Sequence, residues 1–563
     1  MSKLSNDRII TLLVLLLAAC GKGGESSQDQ DPGIHVEPLR VPENVHLHGA
    51  TETTLTFQWD AVSGAESYKW WLSQNGTQVQ TGISQQRNVT VEGLQPATRY
   101  GFMVSAMAQG KTFAHSNEID ATTQGTTPEP PGPDVTVQCV DAPLVLTLDA
   151  APVLGTSGLV RIFRADGTEV DRIDLADIAT VNVREDGVMV PREQLVNPDL
   201  STTFMDALSS GGRKRHVHYT PFRISGKSLI IKPHTGVLDF GKEYYVTVDE
   251  SVCGKAVAAG EWRFTTKGQP SGKSLAVNPD GSADFCTLQG ALTYADDDFT
   301  IHLAAGTYEG LLYLREKKNI TVKGTSRDGT VIAYPNCEAY MNGSSARCLW
   351  LVENCDNLVL ENLTIHNTYG EQGQAECIYF NSGSNAHRLT MENCALLSLQ
   401  DTFLTKGEVW VHNSLIAGNV DFIWGYPKVC LFEDCEIRCE YHKNGGYIIQ
   451  ARCPSGSKGF VFLNCNITAA SGVKDGSMYL ARSAGQSDCF DNVTYVNCSM
   501  PSAIAPAGWY ASPAPNPSVP TATAGWKEYG TKGVSTASRN AYGKTLTAEE
   551  AAAYSSKNAI LNW

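Results

Sequence analysis

The amino-acid sequence predicts an all-β protein in which a parallel β-helix follows two β-sandwich domains. Short runs of alternating apolar residues recur along the 563 residues, and long helical patterns are rare. Beyond Lys273 the short β-runs are broken by Asn, Gly and Asp and repeat at roughly 20 to 40 residues, which is typical of a solenoid. A third sandwich would explain these strands but not their repetition. Strand repeats without helices therefore favour a parallel β-helix.

The N-terminus predicts export. Two basic residues precede an apolar run that is too short to span a bilayer as a mature helix, which is typical of a secretory signal. The run ends in Leu17-Ala18-Ala19-Cys20, which resembles a bacterial lipobox with Cys20 as the lipidated residue. We expect a lipoprotein signal peptide at 1–20, a polar tether at 21–35 and an outer-membrane or cell-surface location. A simple cleaved signal is the alternative.

Residues 36–125 have the pattern of a small β-sandwich. The segments "TTLTFQWDAV" and "VTVEGLQPATRYGFMVSAMA" alternate apolar and polar residues, with Trp59 and Tyr100 as the large core residues. The stretch "GLQPATRY" at residues 93–100 resembles the fibronectin type III signature. Such modules usually serve as spacers or binding surfaces rather than enzymes.

A Pro-rich linker, "TTPEPPGPD" at 126–134, leads to a second predicted sandwich at 135–268. The end of this segment, "LDFGKEYYVTVDESVCGKAVAAGEWRFTT", resembles a bacterial Ig-like domain. Cys139 and Cys253 lie near its two ends and can form a disulfide. Residues 213–218, "RKRHVH", follow a Ser/Gly-rich stretch and are interpreted as a solvated loop.

Composition excludes some classes of partner. The formal net charge of -15 argues against binding to nucleic acid or to an anionic membrane surface, because both need clustered Lys and Arg. Membrane contact is expected only through the N-terminal lipid, and we expect a monomer.

Cysteine spacing does not indicate a metal site. Removing Cys20 from the 16 cysteines leaves an odd number, so pairing within a monomer cannot be complete. Five of them follow Asn or Asp at intervals of 39, 41, 30 and 33 residues, which are far from zinc-ligand spacings. We interpret these five as small apolar residues stacked inside the solenoid: Cys355, Cys394, Cys435, Cys465 and Cys498.

Two aspartates stand in apolar surroundings in "SLQDTFLTKGEVWVHNSLIAGNVDFIWGYPK", residues 398–428. A buried carboxylate is costly unless it is paired, hydrogen-bonded or used. Asp401 and Asp421 are 20 residues apart, a natural length for one coil, so we expect them roughly 4.8 Å apart on adjacent coils. One such acid can keep its proton while the other attacks. Gln374 and Gln400 can stack likewise and donate to an oxyanion.

Residues 273–563 resemble the pectinesterase family over the whole of this predicted domain. The resemblance rests on an ordered set of motifs: "AVNPDGSADFCTLQGAL", "GTY", "QDT", "DFIWG", "IIQAR", "YLARS", "GWKEYGTKG" and "LTAEEAAAY". It implies a right-handed, pectin lyase-like parallel β-helix. It also implies an enzyme that removes methyl esters from the galacturonate units of pectin, or of a related uronate polysaccharide, with no metal and no cofactor.

The same resemblance implies roles for individual residues. Asp421 is the expected nucleophile, and Asp401 is the acid that protonates departing methanol and later deprotonates water. Gln374 and Gln400 match the oxyanion donors, and Arg482 matches the arginine that orients the nucleophile and keeps it ionised. Substrate binding is assigned to five further residues: Trp424, Gln450, Phe403, Tyr308 and Glu376.

Two departures from the family pattern concern the substrate. Ser483-Ala484 replaces the usual Pro-Trp after Arg482, so a tryptophan platform for the sugar is absent there. Trp424 can substitute for it, although packing against the solenoid is its favoured role. The stretch "QAECIYF" at 374–380 places Glu376 near the site.

Two other functions fit parts of the sequence. A pectate or pectin lyase can share the β-helix, but it needs a basic proton abstractor and often clustered acids that bind Ca²⁺. A non-catalytic surface protein that binds glycans would explain the missing tryptophan and the two accessory sandwiches. Methanol release from esterified pectin separates the three functions.

Overall fold

The structure is a computed structural model, and it describes residues 39–124, 137–176, 181–182, 189–190, 204–370, 373–384 and 386–563. The predicted lipidation site Cys20, the polar tether and the Pro-rich linker lie outside these residues. Within the described ranges, no helix combines the length and the apolar character that a bilayer crossing requires.

The first domain is the predicted β-sandwich, and all of its strands pair antiparallel. One sheet has the order β1-β2-β5 and the other β4-β3-β6-β7, with β8 also on β6. Trp59 and Tyr100 are buried between them, as predicted. The strands are β1 His46–Ala50, β2 Leu55–Gln58, β3 Ser67–Gln74, β4 Thr77–Ser84, β5 Asn88–Val91, β6 Arg99–Ala108, β7 Lys111–His115 and β8 Ile119–Thr122.

The second domain is also a β-sandwich. A five-stranded sheet, β12-β11-β19-β20-β9, packs against a three-stranded sheet, β10-β18-β17, around one apolar core. Its resemblance to a bacterial Ig-like domain stays a prediction. Its elements are β9 Val137–Gln138, β10 Leu144–Thr147, β11 Leu159–Arg164, β12 Glu169–Asp174, β13 Val181–Asn182, β14 Met189–Val190, β15 Phe204–Ser210, β16 Arg213–Tyr219, β17 Phe222–Ser225, β18 Ser228–Ile231, β19 Glu243–Val248, α1 Glu250–Cys253 and β20 Val257–Thr266.

The basic cluster at 213–218 is not a solvated loop, so that prediction is wrong. It forms β16, which pairs with β15, and alternation along the strand buries Arg215. The guanidinium of Arg215 donates to the carbonyl oxygens of Leu312 at 2.6 Å, Cys348 at 2.5 Å and Ala346 at 2.9 Å. These carbonyls belong to the β-helix domain and would be costly to bury without a donor. The hairpin therefore joins the second sandwich to the solenoid.

The suggested disulfide between Cys139 and Cys253 is also wrong. Cys253 lies in the core of the second sandwich, whereas Cys139 packs beside Cys286 of the β-helix domain. The ligand atoms of Cys139, Asp141 and Cys286 lie within 4.8 Å of one another, the one such group of possible metal ligands in the described chain. Asp141 already accepts hydrogen bonds from Cys286 N at 2.9 Å and Thr287 N at 2.7 Å, so its carboxylate joins the two domains.

The third domain is a parallel β-helix, as predicted. Its first half comprises β21 Ser274–Val277, α2 Leu288–Tyr294, β22 Thr300–Leu303, β23 Gly306–Glu309, β24 Leu312–Arg315, β25 Thr321–Gly324, β26 Thr330–Tyr334, α3 Ser344–Arg347, β27 Trp350–Glu353, β28 Leu358–Glu361, β29 Thr364–Asn367, β30 Ile378–Asn381, β31 Arg388–Glu392 and β32 Ala395–Leu397. Its second half comprises β33 Phe403–His412, β34 Leu415–Gly418, β35 Val420–Glu433, β36 Glu436–Cys439, β37 Gly446–Ala451, β38 Gly459–Leu463, β39 Asn466–Ala469, β40 Met478–Ser483, β41 Val493–Val496, β42 Trp509–Tyr510, β43 Trp526–Tyr529, β44 Gly543–Thr545, α4 Ala548–Ala551, a 3₁₀ turn Ala552–Tyr554 and α5 Lys557–Leu561.

Three parallel ladders run along the solenoid. The first is β21-β22-β25-β28-β31-β33-β35-β38-β41-β43-β44, the second is β24-β27-β30-β33-β35-β37-β40-β42, and the third is β23-β26-β29-β32-β34-β36-β39. The long strands β33 and β35 belong to the first two ladders because each bends in the middle. In β33 the bend lies at Gly407, whose φ is 84° and where a Cβ would lie 2.6 Å from His387 O.

The turns explain the repeated Asn-Cys and Asp-Cys pairs. The residue before each of the five repeating cysteines has a positive φ of 50–57°, which Asn and Asp tolerate better than most residues. Each cysteine that follows is buried in the core, as predicted. Aromatic rings extend the same stacking, with centroids 4.7 Å apart for Phe432 and Phe462 and 4.4 Å for Phe462 and Tyr495.

Candidate active site

The strand register places the two aspartates on adjacent coils. Gln400 pairs with Val420 and Phe403 with Ile423, so Asp401 stands opposite Asp421 at the start of the second ladder's strands. The amide of Asp401 donates to Val420 O at 3.1 Å. Both aspartates have a positive φ, 65° for Asp401 and 48° for Asp421, and both are only 4% exposed. The 20-residue spacing therefore does bring two buried carboxyl groups together.

Asp421 is surrounded by hydrogen-bond donors. Arg482 Nε donates to its two oxygens at 2.7 and 3.0 Å, and the Arg482 terminal nitrogen also donates to Oδ2. Gln450 Nε2 donates to Oδ2 at 3.0 Å, and Arg452 holds Gln450 through its Oε1 at 2.6 Å. Burial raises the pKa of Asp421, while the hydrogen bonds and charge of Arg482 oppose this. These contacts favour the ionised form.

Asp401 has a different neighbourhood, because it shares one guanidinium with two other acids. Arg347 donates to Asp401 Oδ2 at 3.1 Å, and Gln374 Nε2 donates to the same oxygen at 3.0 Å. Arg347 also binds Glu376 at 2.7 Å and Glu338 at 2.6 Å. Burial, with the charge of Glu376, raises the pKa of Asp401 well above its usual range, while Arg347 opposes this.

The two carboxyl groups therefore differ in proton affinity. Asp421 faces cationic and amide donors, whereas Asp401 faces Glu376 and Asp421, both of which raise its pKa. Two carboxyl groups this close cannot both ionise freely in a buried site. The proton of the pair belongs on Asp401, and the charge belongs on Asp421.

Two amides flank the acids. Gln374 pairs with Gln400 on the next coil, as their predicted stacking requires. Arg347 donates to Gln374 Oε1 at 3.0 Å, so the amide nitrogen of Gln374 faces Asp401. Gln400 is half-buried, and its side chain has no hydrogen-bond partner among the residues described. Each amide therefore retains an N–H that can donate to a bound group.

Four residues near the aspartates occupy the same register position on successive strands of the second ladder. Trp424 pairs with Gln450, Gln450 with Arg482, and Arg482 with Tyr510 on successive coils. The guanidinium carbons of Arg347 and Arg452 lie 5.9 and 4.9 Å from the Trp424 ring centroid, and Trp424 is only 7% exposed. The ring therefore packs against cations and has little surface left for a sugar, and Gln450 contacts Asp421 instead of open solvent.

Three predicted substrate-binding residues have little or no exposed surface at the site, and their contacts do not support the assignment, which stays a prediction. Phe403 points into the core, stacked in register between Ile378 and Ile423. Glu376 has no exposed surface because Arg347 covers its carboxylate.

Tyr308 is the third of them. It lies in β23, inside the third ladder, and its hydroxyl donates to backbone carbonyl oxygens at 2.9 and 3.0 Å. It lines a cavity of about 640 Å³ at the junction with the second sandwich, among residues that do not include the two aspartates.

The structure adds an aromatic cluster that the sequence analysis did not identify. Tyr447, Tyr479 and Tyr510 are half-exposed, and their ring centroids lie 5.0 to 5.9 Å apart. The guanidinium of Arg482 lies 4.6 Å from the Tyr447 centroid. Tyr447 and Tyr479 precede Gln450 and Arg482 by three residues on paired strands, a repetition that could have revealed them. Arg347 was also missed, because it lies in the short helix α3, outside every strand repeat.

Comparisons with known proteins agree with this architecture. The family model described as Pectinesterase matches residues 274–562, and the model described as Fibronectin type III domain matches residues 40–122. Pectinesterase 31 of Arabidopsis thaliana is 32% identical over 256 residues, covering 42% of this chain and 77% of the relative. Probable pectinesterase A of Aspergillus flavus is 30% identical over 255 residues, covering 43% and 74%.

A solved structure of the pectin methylesterase from Aspergillus niger is 26% identical, with a TM-score of 0.43, and covers 52% of this chain and 95% of that one. The family match extends over half of the chain and contains every element of the β-helix that presents the paired aspartates. This chain therefore belongs to the pectinesterase family of carboxylic ester hydrolases.

Proposed function

We propose that the β-helix domain removes methyl esters from galacturonate units of pectin and releases methanol, with Asp421 as nucleophile and Asp401 as general acid and base. The observation that carries the proposal is the contrast between the two neighbouring carboxyl groups. Asp421 is held by Arg482 and Gln450, whereas Asp401 lies beside further carboxylates. One site thus offers an ionised oxygen and a proton one coil apart.

In the first half-reaction, an Asp421 oxygen attacks the carboxymethyl carbon of the ester. The carbonyl oxygen becomes an oxyanion, which the amides of Gln374 and Gln400 stabilise. The bond to the methoxy oxygen then breaks, and Asp401 gives its proton to that oxygen, so methanol leaves. An anhydride between Asp421 and the galacturonate remains, and Asp401 is now ionised.

In the second half-reaction, Asp401 takes a proton from water. The resulting hydroxide attacks the galacturonate carbonyl, the bond to Asp421 breaks, and the product acid leaves and releases its proton to the solvent. Asp421 is again ionised and Asp401 again protonated, so the cycle closes on the two acids. Arg482 keeps Asp421 oriented in both halves through its hydrogen bonds to the carboxylate.

The surroundings of the site suit a uronate polymer. Tyr447, Tyr479 and Tyr510 offer half-exposed rings on the same ladder, in place of the tryptophan that the family usually has after the arginine. In β33, Lys406 Nζ lies 5.6 Å from the Tyr379 centroid and 5.4 Å from that of Tyr426. Rings and cations together match a sugar chain that carries carboxylates, in a protein whose overall charge is negative.

The whole chain is proposed to act as an exported, monomeric lipoprotein. Lipidation at Cys20 would hold it at the outer membrane or cell surface, and the two sandwiches would separate the anchor from the enzyme. The lipobox sequence supports the anchor, and the negative net charge argues against direct binding to anionic lipid.

Methanol release from methyl-esterified polygalacturonan by the full chain tests the proposal. We expect equal amounts of methanol and new carboxylate, in buffer with EDTA, and neither product from Asp421→Asn. A lyase would instead produce an unsaturated sugar end that absorbs in the ultraviolet. Binding to the polymer without methanol or an unsaturated product would indicate a glycan-binding protein. Either of those outcomes contradicts the proposal.

A further inference from the structure

Arg347 is the most heavily engaged side chain near the two acids. It is 5% exposed, and its five hydrogen-bonding groups contact three carboxylates and one amide. Glu376 is bound through two nitrogens, by Arg347 Nε at 2.9 Å and the terminal nitrogen at 2.7 Å. The same terminal nitrogen reaches Asp401 Oδ2 at 3.1 Å. Burial lowers the pKa of Arg347, but the carboxylates outweigh this and raise it, so the group stays charged.

Glu376 balances that charge. It is fully buried, and without it Arg347 would stand beside Asp401 with the partly exposed Glu338 as its other carboxylate partner. An isolated cation at this distance would favour the ionised form of Asp401 and remove the proton that the acid must donate. Burial raises the pKa of Glu376, but the charge and hydrogen bonds of Arg347 oppose this. A close pair between Arg347 and Glu376 leaves Asp401 with little net positive charge nearby.

We propose that Arg347 and Glu376 are positioning residues which together orient Asp401 and Gln374 and keep the catalytic proton on Asp401. This inference rests on the proposed function. Neither residue touches the ester; both act through Asp401 and Gln374.

The geometry explains both parts of the role. Because Arg347 donates to Gln374 Oε1 at 3.0 Å, the amide cannot rotate without losing a charge-assisted bond, and its nitrogen stays towards the acids. Because Arg347 also donates to Asp401, the carboxyl group has one fixed orientation. The charged groups that face Asp401 are Arg347, Glu376, Asp421 and Arg482.

The pair predicts a shift in pH dependence. Glu376 raises the pKa of Asp401, and Arg347 lowers it. Glu376→Gln removes the buried negative charge and leaves the partly exposed Glu338 as the remaining carboxylate partner of Arg347 besides Asp401, so the pKa of Asp401 falls. Activity needs protonated Asp401, so the basic limb of kcat/KM should move to lower pH, by about one to three pH units for a charge this close. A residue that served stability alone would leave the limb in place.

A double variant, Arg347→Met with Glu376→Leu, separates the effect of the pair on the proton of Asp401 from its effect on the orientation of Asp401 and Gln374. Replacing a buried ion pair by apolar residues of similar size is often neutral for stability, so this protein should fold even if Glu376→Gln does not. Without either charge, we expect the basic limb to lie closer to that of the wild type than in Glu376→Gln. We also expect kcat to fall at least about tenfold with little change in KM, because Gln374 and Asp401 lose their orientation. An unchanged kcat would overturn the positioning role.

A matched control is the buried pair of Arg539 and Glu528, 2.8 Å apart and remote in sequence from both acids. Glu528→Gln should lower thermal stability without moving the basic limb. An equal shift in this control would show that the shift in Glu376→Gln comes from general loosening, and would overturn the proposal.

Infrared difference spectra provide a readout that does not need turnover. The protonated-carboxyl band of Asp401, identified by its loss in Asp401→Asn, should disappear at lower pH in Glu376→Gln than in the wild type. If this shift occurs in a chain that releases no methanol, the pair acts on Asp401 as inferred and the proposed function is wrong. If methanol is released but neither the band nor the basic limb shifts, the function holds and the inference is wrong.

Discussion

The surroundings of Asp421 and of Asp401 differ although the two residues occupy equivalent positions on adjacent coils. Asp421 receives three hydrogen bonds from Arg482 and one from Gln450, and no second carboxylate of the described residues binds the same guanidinium. Asp401 is bound by Arg347, which also binds Glu376 and Glu338. Among the described residues, Asp421 is therefore the one carboxylate bound to its arginine, whereas Asp401 shares its arginine with two glutamates.

This contrast teaches that the number of charged neighbours, rather than residue type or depth of burial, distinguishes the two proposed roles. Both aspartates are equally buried, so desolvation alone would raise both pKa values in the same way. The arginines and glutamates that come from other coils break this symmetry.

The largest expected effect is on the nucleophile. Asp421→Asn replaces the attacking oxygen by an amide, so no acyl-enzyme can form and methanol release should fall to background. Circular dichroism should show an unchanged fold. Near-normal methyl esterase activity in this variant would show that the assignment of roles is wrong.

Asp401→Asn should cost less and should depend on the leaving group. The variant keeps the nucleophile but cannot protonate methanol, which slows the reaction by about 10²- to 10⁴-fold. An activated aryl ester needs little protonation, so it should restore more activity to Asp401→Asn than to Asp421→Asn. The comparison requires that the site accepts the aryl group and that deacylation does not limit the rate. Restoration of Asp421→Asn instead would reverse the roles.

Removing the cation of Asp421 should move the acid limb of the pH profile. Arg482 opposes the rise in the pKa of Asp421 that burial causes. In Arg482→Met that opposition is lost and the pKa of Asp421 rises further, so activity should disappear at a higher pH as the solution is acidified. Arg482→Lys keeps the charge and is the matched control, with a smaller shift. If the acid limb does not move in Arg482→Met, the ionisation of Asp421 does not determine this limb, and the prediction is wrong.

The tyrosine cluster should affect substrate binding more than chemistry. Tyr479→Ala removes one half-exposed ring beside Tyr447 and Tyr510. An aromatic contact contributes about 0.5 to 1.5 kcal/mol, so KM should rise about 2- to 10-fold with little change in kcat. Ile83→Ala, an exposed residue of the first sandwich, is a control that should leave KM unchanged. A fall in kcat alone would place Tyr479 among the residues that orient Arg482.

The anchor should have no effect on catalysis. Cys20→Ala should move the protein from the membrane fraction to the soluble fraction, since the lipid on Cys20 is the one predicted membrane anchor and the tether after it is polar. Its kcat/KM on soluble polymer should equal that of the wild type. Retention of the variant in membranes would contradict the lipobox interpretation.

The sequence predicted the elements that follow a repeat and failed for those that do not. The spacing of Asp401 and Asp421 sufficed to predict that they are neighbours, because residues one coil apart in sequence lie on adjacent strands of a β-helix. Phe403 was assigned through the family resemblance, which does not report burial, and its ring packs in the core in register with Ile378 and Ile423. Arg347 reaches Asp401 from 54 residues away through a short helix, and no periodicity reports such a contact.

The hairpin of Arg215 bears on how the enzyme can be produced. A solenoid that ends without a cover exposes apolar coils and unpaired strand edges, which promote association between molecules. Here Leu208 and Val217 of the hairpin pack in the same core as the first coils, and Arg215 binds carbonyl groups there. A truncated protein that starts at Lys273 would lose this cover, so we expect it to aggregate. A fragment that keeps the second sandwich is the smallest soluble unit that the contacts support.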